Sequence, residues 1–358
     1  MKKTFWLLIA AMTLSVSAQA QTIHAGEPAI VYYSPKTNVV LDFTYEEVIA
    51  EKGIYAAYAN KLLGIDEVVD ANKTSFYLKG VQIHSRTEAD MSRSHKVVAE
   101  AGVPIQLLRL NEKGLLVGYN LPESENKAIQ DKRKSSSRDA VKSKVDPMAI
   151  APYTEEVLEA KSIAAEAQAV AKQILRIRES RMYLLSGEVE HAPADGVAMK
   201  LVLDELAKQE NQLTELFTGK VTRTIKHKSV SYLPMAEDGK NYHKKLYFST
   251  DHGFTTSENA EAEDIGVTIQ HTKPQVVASS NEGNGKKKGS VEASQIVYNL
   301  PGQGQVTVRY RGETMAERTL PLAQFGVDVP LAKDLFTGKT LPVIQFNEKT
   351  GNIVSICK

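Results

Sequence analysis

A change of hydrophobic period near residue 153, reversed near residue 219, constrains the fold of this chain more than any other feature. Ile163, Val170, Ile177 and Leu184 recur every seven residues, and Ala160, Ala167 and Ile174 form an adjoining stripe. This a/d-like seam over about three heptads predicts a helix. Pro152 and the N-cap candidate Thr154, followed by Glu155 and Glu156, mark its start. A second helix is expected from Asp195, with Met199, Val202, Leu206, Leu213 and Leu216 on its apolar face and Gly219 at its end. The connection between them is short and contains Gly187 and Pro193, so 153–218 reads as an antiparallel helical hairpin.

Both flanks read as strands. Val39, Leu41, Phe43 and Tyr45 alternate with Val40, Asp42, Thr44 and Glu46, the period of a half-buried strand. A short helix follows, with Tyr55, Tyr58 and Leu62 on one face and Gly64 as its stop. Strands are expected at 74–85, 95–99, 105–110 and 115–119, the last two joined by a turn at Asn111-Glu112-Lys113-Gly114. After the helices, strands are expected at 221–233, 243–249, 266–271, 295–300, 305–311, 342–346 and 352–356. Thr250–Asp264 reads as a loop, and Gly302-Gln303-Gly304 as a hairpin turn. The expected class is therefore α+β: β-rich N- and C-terminal units (22–121 and 219–358) with a central antiparallel helical hairpin. Segment 122–152 is dense in charge and serine and reads as a disordered linker; 278–290 reads as a shorter disordered loop.

The first twenty residues carry Lys2 and Lys3, an apolar run from Phe5 to about Val16, and Ala18-Gln19-Ala20. That is the pattern of a signal peptide cleaved near Ala20. The expected location is the periplasm or the outside of the cell. No cysteine stands at the cleavage site, so a lipoprotein is not expected. Removing the leader changes 44 basic against 43 acidic residues to 42 against 43, a net charge of −1. Such a balance offers nucleic acid no long-range attraction. No later run of apolar residues is long enough for a transmembrane anchor. Cys357 is the single cysteine and cannot form an internal disulfide.

Four pieces of the chain carry a family resemblance. They are Val31-Tyr32-Tyr33-Ser34-Pro35-Lys36-Thr37, Lys61-Leu62-Leu63-Gly64, Gly114-Leu115-Leu116-Val117-Gly118-Tyr119-Asn120, and Arg176-Ile177-Arg178-Glu179-Ser180-Arg181 with Pro193-Ala194-Asp195-Gly196. Together they resemble a family of secreted Bacteroidetes proteins classed only as a domain of unknown function. The resemblance spans nearly all of the mature chain and implies a Gram-negative envelope setting. It brings no catalytic residue, ligand or partner. Ser34 stands where the family pattern leads one to expect leucine.

Catalytic signatures do not assemble. Gly338-Lys339-Thr340 lacks the earlier glycine of a phosphate loop, because Lys333 holds that place. No G-x-S-x-G or H-E-x-x-H occurs. Glu188, Glu190, His191 and Asp195 form the one local set suited to a divalent ion, against the simpler reading of a hydrated loop with Asp195 as a helix cap. Asp251-His252 has no nucleophile nearby in sequence. Arg176, Arg178 and Arg181 form either a partner-docking face or a salt-bridge network with the facing helix. No cofactor is expected. The leading expectation is a non-enzymatic binding or assembly module whose partner is an envelope protein or a glycan. The rivals are an envelope hydrolase with carboxylates drawn from distant strands and a structural component of a surface assembly.

Overall fold

The computed structural model describes residues 29–99, 104–122, 153–188, 195–235, 242–256, 262–272, 295–336 and 339–357. The leader, nearly all of the expected linker and the 278–290 loop lie outside them. Among the described residues 52% are in strands and 26% in helices. The α+β expectation is thus corrected: the molecule is mostly β, built from three antiparallel sheets. Its helices do not stand between two β-rich units, because strands from before and after them share sheets.

The longest strands explain the shift. Strand β1 (Ala29–Glu51) pairs along nearly its whole length with β2 (Lys73–Val98), and β5 (Lys220–Tyr232) adds to its other side. Val39, Leu41 and Phe43 point into one core, which makes the alternation visible in sequence. The strand runs well past that alternation at both ends, because other cores take over. Tyr32 enters a second core, and Tyr55, just beyond β1, enters a third. One stretch of chain therefore threads all three.

The first core lies between this sheet and a five-stranded one. In the latter, β6 (Tyr242–Ser249), β7 (Gly253–Thr255), β8 (Glu263–Thr272), β9 (Val297–Tyr310) and β10 (Glu313–Pro330) are ordered β10-β9-β8-β6-β7. Ile265, Val267 and Ile269 of β8 stand opposite Tyr310, Val308 and Val306 of β9, a period-2 ladder closed against Leu41, Phe43 and Ile83. Strand β9 crosses Pro301-Gly302-Gln303-Gly304, where a turn was expected. Proline is tolerated because its missing N–H costs no ladder bond. On one side β8 pairs only as far as Gln303. On the other, the register jumps from Leu322↔Gly302 to Val327↔Leu300, so residues 323–326 of β10 leave the ladder opposite Pro301. Gly304 has no Cβ because the Leu322 side chain occupies that space.

The third sheet orders β12 (Ile353–Cys357), β11 (Val343–Phe346), β4 (Leu116–Tyr119) and β3 (Leu108–Leu110). It joins strands from the two ends of the chain over the second core, around Tyr119, Phe336 and Ile344. The turn Asn111–Gly114 links β3 to β4 with Gly114 at φ 73°. Residues 105–107, expected as strand, form a 3-10 turn.

The third core is helical. Short α1 (Ala59–Leu63) stops at Gly64, whose φ of 67° ends it. Helices α2 (Glu155–Leu158), α3 (Ile163–Ser186) and α4 (Gly196–Thr218) pack with it. The Ser162 side chain caps α3 and that of Asp195 caps α4. Ala167, Val170, Ala171 and Ile174 meet Leu213, Phe217, Tyr55 and Ala59. Gly53 lies where β1 ends against α4; a Cβ there would stand 2.5 Å from the Leu216 carbonyl oxygen. No helix among the described residues is long and apolar enough to cross a membrane.

Candidate functional site

The densest buried polar group lies where the three sheets converge, and its residues are far apart in sequence. Between Tyr33 and Ser34 the β1–β2 register slips, so that Tyr33 pairs with Ser94 and Ser34 with Asp90. The bulged residues include Arg93, whose guanidinium reaches Asp328 on β10 through Nε at 3.3 Å and through Nη2. Nη2 also donates to the Asn299 side chain at 3.3 Å, and Nη1 to the Ala323 carbonyl at 3.4 Å. Asn299 Nδ2 donates in turn to the carbonyls of Ala323 and Thr350. Gln324, in the excursion of β10, accepts from the Thr37 N–H and donates to the Thr37 and Pro234 carbonyls, each at 3.0 Å. Tyr32 Oη donates to the Val297 carbonyl at 2.8 Å and accepts from its N–H at 2.7 Å. Burial, with the charge of Asp328, raises the Tyr32 pKa, so this hydroxyl stays protonated.

Ser34, His95 and Asp328 invite comparison with a catalytic triad. The geometry differs from one. Ser34 Oγ lies 2.7 Å from His95 Nε2, and Asp328 Oδ2 lies 3.7 Å from that same nitrogen. A triad places the serine and the carboxylate on opposite ring nitrogens. Here Ser34 Oγ–H donates a hydrogen bond to Asp328 Oδ1 at 3.2 Å, and with the imidazole in its Nε2–H tautomer His95 donates to Ser34 rather than acting as its base. Arg93 neutralises the carboxylate. Ser34 is buried, and the hollow beside it holds about 10 Å³, less than a substrate group needs. The cluster locks β10 onto the β1–β2 bulge.

Burial lowers the His95 pKa; Asp328 opposes that shift and Arg93 adds to it. The folded state therefore prefers neutral imidazole. Its contribution to stability is complete above the unfolded value of about 6.5 and is lost as the pH falls from there toward the depressed folded value. Thermal melts should show wild type losing more stability than His95→Gln between pH 7 and 5. Equal losses would place His95 outside this linkage.

The remaining expected residues are placed as follows. Arg178 Nε donates to Glu210 Oε1 at 2.7 Å and Arg181 Nη1 to Glu210 Oε2, while Arg176 reaches Glu156 at 3.3 Å. Burial works against the Glu210 charge, but the two guanidiniums hold its carboxyl below the usual range. Asp195 Oδ1 accepts from the Ala198 N–H at 2.7 Å, the geometry of a helix cap, and Glu188 is exposed. Glu190 and His191 lie outside the described residues. Among the described residues no group of three His, Cys, Asp or Glu is placed to hold a metal ion. The Asp251 N–H donates to Ser249 Oγ at 3.1 Å. Between β2 and β10 an open groove of about 300 Å³ is lined by Gln82, Ile83, His84, Ala316, Glu317 and Arg318; it carries one carboxylate. Arg318 Nη1 donates across it to the Ile83 carbonyl at 2.7 Å.

A second feature is apolar. At the base of the helices, Ile174, Leu213 and Phe217 are fully buried. Toward the distal end burial falls away: Val202 is 38% exposed, Met182 64%, Leu185 69%, Leu201 71% and Val197 82%. Leu185 and Val202 face the neighbouring helix by their spacing from Ile174 and Leu213, so the seam itself is open there.

A family profile described as a domain of unknown function, DUF4831, matches residues 28–354. The chain belongs to the DUF4831 family. The match takes in strands of all three sheets and the helices. No curated protein and no solved structure shows significant similarity to it.

Proposed function

We propose that this DUF4831 protein is an exported, non-enzymatic binding or assembly module, and that the distal half of α3 and α4 is its docking element. The observation that carries this reading is the open seam. Large apolar side chains exposed together on neighbouring helices are a costly surface unless something covers them. Leucine, methionine and valine suit a protein partner better than a glycan, whose hydroxyl-rich faces need aromatic platforms and hydrogen bonds. The leader-like N-terminus supports export, and the Bacteroidetes resemblance supports an envelope setting. The polar cluster at Ser34 supports the non-enzymatic reading, because it ties strands together and its serine hydroxyl donates to a carboxylate that Arg93 neutralises.

The test compares wild type with the double variant Leu185→Gln, Leu201→Gln, each purified from the native envelope after mild crosslinking. Both positions are exposed, so stability should change by no more than about 0.5 kcal/mol. Recovery of the partner should fall at least about tenfold, which is the scale on which a few central apolar contacts hold an interface. The same partner recovered equally by both proteins, or by neither, would contradict the proposal.

A further inference from the structure

We propose that the free edge of β5 takes up an extended acidic strand from a partner protein. This surface is distinct from the helical one. Strand β5 is the outermost strand of its sheet and pairs only with β1. Ten of its thirteen residues are exposed. Among the described residues no other strand lies along its outer side, so the outward N–H and C=O groups face solvent.

The side chains specify the occupant. The segment KVTRTIKHKSVSY carries Lys220, Arg223, Lys226 and Lys228 and no acid. The carboxylates that meet it come from the inner side or from α4: Glu46 for Arg223 at 3.4 Å, Glu47 for Lys226 at 2.7 Å and Glu215 for Lys220 at 3.8 Å. Nothing negative approaches from the outer side among the described residues. Val221 and Ile225, four apart and therefore on one face, are each about half exposed. A second copy of β5 laid along this edge would set lysine and arginine against their like, which disfavours self-pairing. A strand alternating acidic and apolar residues satisfies the ladder, sets its acids on the face of Lys220, Lys226 and Lys228, and sets its apolar residues on the face of Val221 and Ile225.

The probe is a blocked synthetic peptide of alternating glutamate and valine, offered to the full chain. Two controls are the lysine–valine analogue and the glutamate–valine peptide N-methylated at every second residue. Fluorescence anisotropy should show the glutamate peptide binding at least about tenfold more tightly than either control, with affinity falling as salt rises. Hydrogen exchange should show the outward-facing β5 amides, those not bonded to β1, open in the free protein and slowed by the peptide. Lys228→Glu, at an exposed position without an ion pair among the described residues, should weaken binding several-fold while leaving the melting temperature in place. Leu185→Gln with Leu201→Gln should leave peptide binding unchanged, which separates this proposal from the helical one. Absence of binding would overturn it. So would equal binding of the N-methylated peptide, or outward-facing β5 amides already protected in the free protein by a segment other than β1.

Discussion

Asp328→Ala is expected to destabilise the protein by about 3 kcal/mol, because it leaves the Arg93 guanidinium largely buried without its carboxylate. The value sits at the low end for such losses, since both side chains keep about a quarter of their exposure (24% and 25%). Asp328 also accepts from Ser34, so Ser34 and the bulge at Tyr33/Ser34 lose an anchor as well. Urea unfolding measures the change. Asp328→Asn, which keeps an acceptor but not the charge, should fall between the two. A double-mutant cycle with Arg93→Ala should give a coupling above about 1 kcal/mol. A loss under about 0.5 kcal/mol for Asp328→Ala would mean that the cluster merely decorates the junction.

Phe43→Ala is expected to cost about 3–5 kcal/mol, the range for removing a fully buried aromatic ring. Phe43 is wholly enclosed in the core between the two large sheets, and its ring centroid lies 5.2 Å from that of Phe254 on β7. Deleting it opens a cavity at the place where β7, a three-residue strand, is held down. Calorimetric or urea unfolding would show a single large loss, with exchange of β7 amides accelerated first. A loss below about 1.5 kcal/mol would mean that this face of β1 is not the central contact of the sandwich. The contrast with Leu201, whose replacement should be nearly neutral, separates side chains that hold the fold from those left open to solvent.

Some of this was legible in the order of residues. The Val39-Leu41-Phe43 alternation announces a half-buried strand because successive residues point in turn to the core and to the outer face. Gly64 and Gly219 mark helix ends because both take positive φ, and Asn111–Gly114 marks a turn for the same local reason. Strands whose shape depends on a distant partner were not legible. Pro301-Gly302-Gln303-Gly304 carries turn chemistry, and only the excursion of β10 opposite it lets the segment continue as a strand. The helical seam, read as the centre of the molecule, is a flank of it, since the number and length of strands cannot be weighed from periodicity alone. The polar cluster had no spacing signal at all: Ser34 and Asp328 are 294 residues apart. In the structure that serine is buried and hydrogen-bonded to His95 and Asp328.

The central claim, that the exposed apolar distal half of α3 and α4 is where this protein meets its partner, is tested most directly by photo-crosslinking in living cells. A photoreactive phenylalanine analogue at position 201 should yield one discrete, higher-mass adduct, and the same analogue at exposed Lys208, nearer the base of α4, should yield much less. Equal labelling at both positions, or adduct from neither, would contradict the account.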